Sequence, residues 1–148
     1  MPSSCAAADY SGGGGLRSTI RDYYRFAQFL LNGGELGSAR LLSPKSIQLM
    51  MTDQVGANYP SSSGDYGWGF GVQVRTRVRG AELGTVGTVG WGGGMGTYFW
   101  VDRCEQLIGI VLTQKQFGDP HAAALEDAFE LGMYQAITKS NVGVSACR

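Results

Sequence analysis

Histidine and cysteine are both rare in this sequence. It contains one histidine, His121, and three cysteines, Cys5, Cys104 and Cys147. These residues are too few and too widely spaced for the clusters that hold zinc, so we expect no metal site. An odd number of cysteines without paired spacing argues against a disulfide framework, although a single bond between the chain ends stays open.

A long apolar run and an excess of charge are also missing. No stretch approaches the roughly 20 apolar residues of a membrane-spanning helix, and the first residues show no signal-peptide pattern. Lys and Arg number 12, and so do Asp and Glu. We therefore expect no nucleic-acid partner and no membrane partner. Arg75, Arg77 and Arg79 alternate along the sequence, but without interleaved aromatic residues they are typical of a solvated sheet edge.

Two patterns of enzyme and nucleotide sites are absent as well. No Gly-x-Ser-x-Gly segment provides the turn that carries the nucleophile of α/β-hydrolases. The glycine runs match neither Gly-x-Gly-x-x-Gly nor the Walker pattern, and the segment after Gly96 resembles a strand, so no helix N-terminus would face a phosphate. We expect no cofactor.

Glycine, in contrast, is abundant. There are 24 glycines among 148 residues, which predicts many turns and close main-chain contacts. The length suits one domain with its own core, and residues 1–15 and 139–148 are predicted to be irregular.

The first predicted helix begins at Thr19, which has the spacing of a capping box with Asp22, and ends at Asn32-Gly33-Gly34. Its apolar residues recur every three or four positions. They are Ile20, Tyr23, Tyr24, Ala27, Leu30 and Leu31.

Two more helices are predicted where an N-cap residue precedes a proline, at Ser43-Pro44 and at Asp119-Pro120. The last helix is long enough to pack across a sheet. Its predicted buried side comprises Leu125, Ala128, Phe129, Gly132, Met133 and Ile137.

Strand signals fill the middle of the chain. Residues 66–74 and 85–89 each read as one strand, and residues 97–101 and 107–112 read as a hairpin joined by a polar turn. Helices before and after several antiparallel strands indicate an α+β fold, a sheet flanked by helices.

The segment from Gly90 to Gly96 is the most unusual in the chain. Glycine weakens a strand, so this many glycines need a reason. Either the sheet edge is bulged and sharply twisted, or an open main chain presents an N–H group to a substrate carbonyl, as an oxyanion hole requires.

Trp91-Gly92-Gly93, followed by Gly-Met-Gly-Thr-Tyr-Phe-Trp-Val-Asp, resembles the third active-site motif of the serine β-lactamase-like superfamily. This superfamily includes class C β-lactamases, family VIII carboxylesterases and D-Ala-D-Ala carboxypeptidases, and the Trp-Gly-Gly form is similar to that of the carboxylesterases. Segments that begin at Ser11, Leu41 and Tyr66 resemble the family in the same order. The resemblance covers residues 12–137 and corresponds to the C-terminal part of such an enzyme, which implies a partial β-lactamase/transpeptidase-like fold.

The resemblance implies a role for four residues. Trp91, Gly92 and Gly93 would form the third motif, and the Gly94 N–H would be one of two oxyanion donors. The family nucleophile lies in Ser-x-x-Lys and its catalytic tyrosine in Tyr-x-Asn, and neither pattern occurs in these 148 residues. The catalytic set is therefore incomplete.

Three interpretations stay open. The chain is the C-terminal part of a serine esterase or β-lactamase and inactive alone, or a binding or assembly module without chemistry, or a hydrolase that uses Cys104 beside His121. In the first case a small ester or β-lactam would bind only to the assembled protein. The family's N-terminal strands would pair with residues 106–114, so we expect self-association or pairing with an N-terminal part.

Overall fold

The computed structural model describes residues 13–58, 64–80, 82–115 and 119–141. In chain order, its helices and strands are α1 (Ile20–Leu31), β1 (Glu35–Leu36), β2 (Ala39–Arg40), α2 (Pro44–Met50), β3 (Tyr66–Trp68), β4 (Gln73–Arg75), β5 (Val89–Gly93), β6 (Thr97–Asp102), β7 (Leu107–Leu112) and α3 (Pro120–Gln135). Strands β1 and β2 form a short hairpin, and the others form an antiparallel sheet in the order β3-β4-β5-β6-β7. The predicted α+β fold is confirmed.

The three α-helices of the described residues begin where their capping residues predict. Thr19 Oγ1 accepts a hydrogen bond from the Asp22 N–H at 3.2 Å, and Ser43 Oγ accepts one from the Ser46 N–H at 3.0 Å. Asp119 does the same for α3. These local bonds satisfy N–H groups that a helix start leaves unpaired. Within the described residues, no helix has both the length and the apolar character needed to cross a bilayer.

The hairpin of β6 and β7 is also confirmed, and Asp102 secures its turn. The pairing runs from Thr97 opposite Leu112 to Asp102 opposite Leu107. The Asp102 side chain is fully buried, and its Oδ1 accepts from the N–H groups of Cys104 and Glu105. The carboxylate thereby fixes the first residues of the turn.

Two predicted strands differ from the structure. Residues 66–74 form a hairpin, β3 and β4, because the chain reverses at Gly71, whose φ of 79° favours glycine. Residues 85–88 precede β5, because the hydroxyls of Thr85 and Thr88 donate to Asp102 instead of lying on a strand. Gly90, Gly92 and Gly93 consequently lie inside β5.

Each face of the sheet packs against different helices. Val74, Val89, Phe99 and Val101 pack with α1 and α2 in the larger core. Trp100 and Val111 point to the opposite face and pack with Tyr134 of α3. Tyr23 of α1 meets the ring of Phe99 edge-on at 5.0 Å. The sheet is therefore covered by helices on both faces, as the fold class predicts.

The predicted buried side of α3 is only partly correct. Met133 and Ile137 pack against the core around Trp100, but other predicted residues are exposed. Leu125 and Phe129 are 44% and 39% exposed, whereas Tyr134 is buried and its hydroxyl donates to Asp102 at 2.8 Å. Glu130 on the same helix pairs with Arg75. These polar partners fix the rotation of the helix, because a buried carboxylate or guanidinium without a partner is costly. In α1, Ile20 and Tyr24 are likewise exposed.

Arg75 corrects the interpretation of the arginine-rich stretch. Its side chain is only 5% exposed, and its Nη2 lies 2.7 Å from Glu130 Oε1. Burial lowers the pKa of Arg75, but the charges and hydrogen bonds of Glu130 and Tyr66 together more than offset this effect and raise the pKa above the ordinary value. Arg77 and Arg79 lie beyond β4 and are exposed, so the three arginines share no solvated strand face.

Candidate functional site

The glycine-rich segment lies on a strand with one partly open edge. Strand β5 pairs along its whole length with β6, from Val89 opposite Val101 to Gly93 opposite Thr97. On its other edge, β4 pairs only with Val89 and Gly90. Within the described part of the sheet, the stretch from Trp91 to Gly93 therefore has no strand partner on that side, and its main-chain groups are free of that ladder.

Close packing explains some of these glycines but not all. A Cβ on Gly90 would lie 2.3 Å from the carbonyl oxygen of Phe99, and one on Gly93 would lie 2.2 Å from Thr97 Oγ1. A Cβ on Gly92 would meet its nearest atom at 3.6 Å, and one on Gly94 would have no described atom within 4 Å. Main-chain packing thus requires glycine at 90, a Cβ at 93 would only displace the Thr97 hydroxyl, and Gly94 lies in open space.

A tight turn links β5 to β6 and anchors the open end. The Gly96 N–H donates to the Gly93 carbonyl at 3.1 Å, and Gly96 has a φ of 66°, which favours glycine. Thr113 Oγ1, just after β7, donates to the Gly96 carbonyl. The neighbouring strand end therefore holds the turn in place beside Gly94.

Trp91, the first residue of the predicted motif, is partly exposed at the surface. It is 47% exposed, and its ring packs edge-on against Trp68 with 4.3 Å between the ring centroids. Trp68 is held in turn by Asp53, whose Oδ1 accepts from the Trp68 N–H at 3.0 Å. That bond, and others from nearby N–H groups, lower the pKa of Asp53.

A cavity of about 250 Å³ opens beside the motif. Its walls are the predicted third-motif residues, the start of β6, the end of β7 and the N-terminal end of α1. The lining residues are Leu16, Ser18, Thr19, Tyr23, Trp91, Gly92, Gly93, Thr97, Tyr98, Phe99, Ile110 and Leu112. The structure thus brings Trp91, Gly92 and Gly93 together on one cavity wall, and Gly94 follows directly.

None of the residues that line this cavity is charged. Burial raises the pKa of both tyrosines, Tyr23 and Tyr98, so their phenols stay protonated at neutral pH. The hydroxyls of Ser18 and Thr19 are engaged in bonds at the helix start. This wall can bind and polarise an uncharged group, but it supplies no general base.

The hypothesis that Cys104 acts as a nucleophile is wrong. Cys104 is disulfide-bonded, so it cannot supply a thiolate. It also lies in the turn after β6, and His121 lies at the start of α3. Neither lines the cavity.

Sequence reasoning missed two residues of this region. The sequence gives no role to Trp68 within the segment that begins at Tyr66, although its ring contacts Trp91. Asp53 follows α2, and its carboxylate accepts from the N–H groups of Val55 and Gly56 in an Asx-type turn. That turn was recognisable from sequence, but its bond to Trp68, 15 residues away, was not.

Comparison with known proteins identifies the class of protein. Residues 2–132 match the family model described as Beta-lactamase. The chain therefore belongs to the β-lactamase family, and the resemblance carried by Trp91-Gly92-Gly93 is confirmed at that level.

Individual relatives fit this assignment. The chain is 36% identical over 124 residues to Protein Rv1367c of Mycobacterium tuberculosis, an alignment that covers 76% of this chain and 30% of that protein. It is 28% identical over 151 residues to Acyltransferase calJ of Penicillium decumbens, covering 82% and 33%. Its fold matches simvastatin synthase (LovD) from Aspergillus terreus with a TM-score of 0.64 and 18% identity, covering 79% and 34%. The chain spans about a third of the length of these proteins.

Proposed function

We propose that this chain supplies one wall of the acyl-transfer site of a β-lactamase-like serine hydrolase. Trp91, Gly92 and Gly93 form the third motif, and the Gly94 N–H is one of two oxyanion donors. The observation that carries the proposal is the unpaired edge of β5 from Trp91 to Gly93, which lines a cavity. An open main chain beside a cavity is what an oxyanion donor needs.

The cavity favours a substrate with an uncharged acyl group. Its lining is mostly apolar and includes Tyr23, Phe99, Ile110 and Leu112. A carboxylate or ammonium group would lose its hydration there without meeting an opposite charge. We therefore propose that the substrate is an ester whose acyl group carries no charge, in preference to a β-lactam. The similarity to a protein named as an acyltransferase supports acyl-group chemistry of this kind.

The nucleophile and base come from chain beyond these 148 residues in this proposal. Ser-x-x-Lys and Tyr-x-Asn do not occur in the sequence, and the cavity lining contains no Lys, His, Asp, Glu or Cys. An oxyanion donor contributes roughly 100- to 1000-fold to a reaction that already has a nucleophile. Without one, the donor has no tetrahedral intermediate to stabilise, so the chain alone is inactive.

The chain that carries the nucleophile and the base must then join this structure at a surface that is not already covered. Strand β7 is the last strand of the sheet, and no described strand pairs with its outer edge. A groove beside that edge is lined by Ile20, Tyr24, Ile108, Ile110, Phe129 and Met133, with Arg21 and Gly109. We propose that another strand adds to this edge, either from an N-terminal part or from a second copy.

A non-catalytic module on the same scaffold is the second candidate. The uncharged cavity favours it, because binding needs no base, whereas turnover does. In that case, the assembled protein would bind an acyl compound and release it unchanged.

One experiment separates the two. The chain alone and a longer protein that includes it with a Ser-x-x-Lys segment are assayed with p-nitrophenyl butyrate and a chromogenic cephalosporin. We expect turnover of the ester by the longer protein and none by the chain alone. Turnover by the isolated chain would refute the proposal that the nucleophile and base lie outside it. Binding without turnover by the longer protein would favour the non-catalytic module.

A further inference from the structure

The contact between Trp68 and Trp91 joins the cavity wall to a part of the fold outside it. Trp91 lines the cavity and Trp68 does not. The two ring planes meet at 70°, with their centroids 4.3 Å apart. Edge-to-face packing of this kind restricts the orientation of both rings. Trp91 is half-exposed, and the Trp68 ring is the aromatic side chain that it contacts in the described part of the chain.

Trp68 itself is fixed through its main chain. Its N–H donates to Asp53 Oδ1 at 3.0 Å, and its carbonyl accepts from the Gln54 N–H at 2.7 Å. The flanking glycines allow this approach, since a Cβ on Gly67 would overlap the Asp53 carboxylate and one on Gly69 would lie 1.9 Å from the Met50 carbonyl. The loop after α2 therefore binds both the N–H and the carbonyl of Trp68.

We propose that Trp68 is a positioning residue, whose ring sets the orientation of Trp91 and thereby the shape of the acyl cavity. The catalytic consequence rests on the proposed function, whereas the orientation of Trp91 stands on the geometry alone. Trp68 touches no substrate in this account and acts only through Trp91.

Removing the Trp68 ring frees Trp91 to turn into the space left behind. The wall of the cavity then changes shape, and a long acyl chain is affected more than an acetyl group, which needs little of the wall. Small displacements of a positioning group carry large kinetic costs. In the assembled enzyme we expect Trp68→Ala to lower kcat/KM for p-nitrophenyl hexanoate roughly tenfold, and for the acetate about threefold or less.

The orientation of Trp91 can be followed directly in the chain itself. Its three tryptophans are labelled with 5-fluorotryptophan and assigned in ¹⁹F NMR spectra by Trp91→Phe and Trp68→Phe. We expect Trp68→Ala to shift or broaden the Trp91 resonance, and Trp68→Phe to do so less, because an aromatic ring remains. Phe70→Ala is the matched control, since Phe70 is exposed two positions further on.

Asp53 gives an independent variant if Trp68→Ala fails to fold. Asp53→Ala removes the acceptor for the Trp68 N–H and should move the Trp91 resonance as well. Asp53→Asn keeps an acceptor oxygen and should restore most of the wild-type spectrum. A role confined to general stability would not distinguish Ala from Asn through the Trp91 signal.

The outcomes separate this inference from the proposed function. An unchanged Trp91 resonance in folded Trp68→Ala overturns the positioning role, whatever the kinetics. A shifted resonance with equal loss for both esters overturns its effect on acyl selectivity. If the wild-type assembled protein turns over no ester, the proposed function fails, and the resonance still decides whether Trp68 positions Trp91.

Discussion

Tyr134→Phe tests why α3 lies on the sheet with the rotation it has. The Tyr134 hydroxyl donates to Asp102 Oδ2 at 2.8 Å, and both side chains are buried. Phenylalanine keeps the ring, so the substitution removes one hydrogen bond to a charged acceptor and little packing. Such a bond contributes about 1.5 to 3 kcal/mol. We expect the free energy of unfolding to fall by roughly 2 kcal/mol.

The other hydrogen bonds of Asp102 keep the expected fall in the free energy of unfolding to about 1.5 to 3 kcal/mol. The carboxylate also accepts from the main-chain N–H groups of Thr85, Cys104 and Glu105, and from the hydroxyls of Thr85 and Thr88. It therefore stays well hydrogen-bonded when the phenol is removed. The penalty of about 3 to 5 kcal/mol for an orphaned buried charge does not apply.

Urea unfolding at one fixed protein concentration measures the effect, because association would otherwise change the apparent stability. Tyr24→Phe is the control, since the Tyr24 hydroxyl donates to Gln28 at the surface and its loss should cost less than about 0.5 kcal/mol. If Tyr134→Phe is as stable as Tyr24→Phe, the bond to Asp102 does not hold α3 in place.

The stability difference between the wild-type protein and Tyr134→Phe should also depend on pH. Burial, and then the charge of Asp102, raise the pKa of Tyr134 above its ordinary value of 10.0. A raised pKa in the folded state gives stability that is fully present below the unfolded value and is lost as the pH rises towards the folded value. The stability difference between wild type and Tyr134→Phe should therefore be constant at neutral pH and shrink above about pH 10.

Two further predictions concern β5 and the sheet edge. Gly90→Ala should destabilise the fold by about 2 kcal/mol, because its Cβ would meet the Phe99 carbonyl, whereas Gly92→Ala should stay within about 0.5 kcal/mol; equal stability in urea would contradict the packing account. Leu112→Lys places a charge at the β7 edge and should lower the assembly measured by light scattering over a dilution series, whereas Leu41→Lys, away from that edge, should not. A wild-type chain that stays monomeric at micromolar concentration would show that the edge does not drive association.

Local signals made much of the fold predictable. The helix starts at Thr19, Ser43 and Asp119 were found because each cap is a bond between a side chain and an N–H two or three residues away. The hairpin of β6 and β7 was found because its apolar runs and polar turn are contiguous in sequence. The family resemblance predicts Trp91, Gly92 and Gly93 as the third motif; the structure places them on one cavity wall, and their role stays a prediction.

The errors arose where distant polar partners decide the structure. The sequence around Arg75 predicts a surface residue, because nothing nearby indicates its partner, Glu130, which lies 55 positions later. The rotation of α3 follows from Glu130 and Tyr134, whereas its apolar pattern alone indicates a face that only partly overlaps the observed one. Thr85 and Thr88 have strand-like side chains, but they bind Asp102 across the fold. No local pattern in the sequence reveals these pairings.

Two substitutions at Gly94 in the assembled protein test whether its N–H is an oxyanion donor. Gly94→Pro removes the proposed oxyanion donor, whereas Gly94→Ala keeps the N–H and adds a Cβ that meets no described atom within 4 Å. Acyl transfer to water from p-nitrophenyl butyrate is measured for both, with circular dichroism to confirm folding. We expect Gly94→Pro to lower kcat roughly 100- to 1000-fold and Gly94→Ala to remain near wild type. Wild-type turnover in a folded Gly94→Pro protein would contradict the account, because the donor would then lie elsewhere.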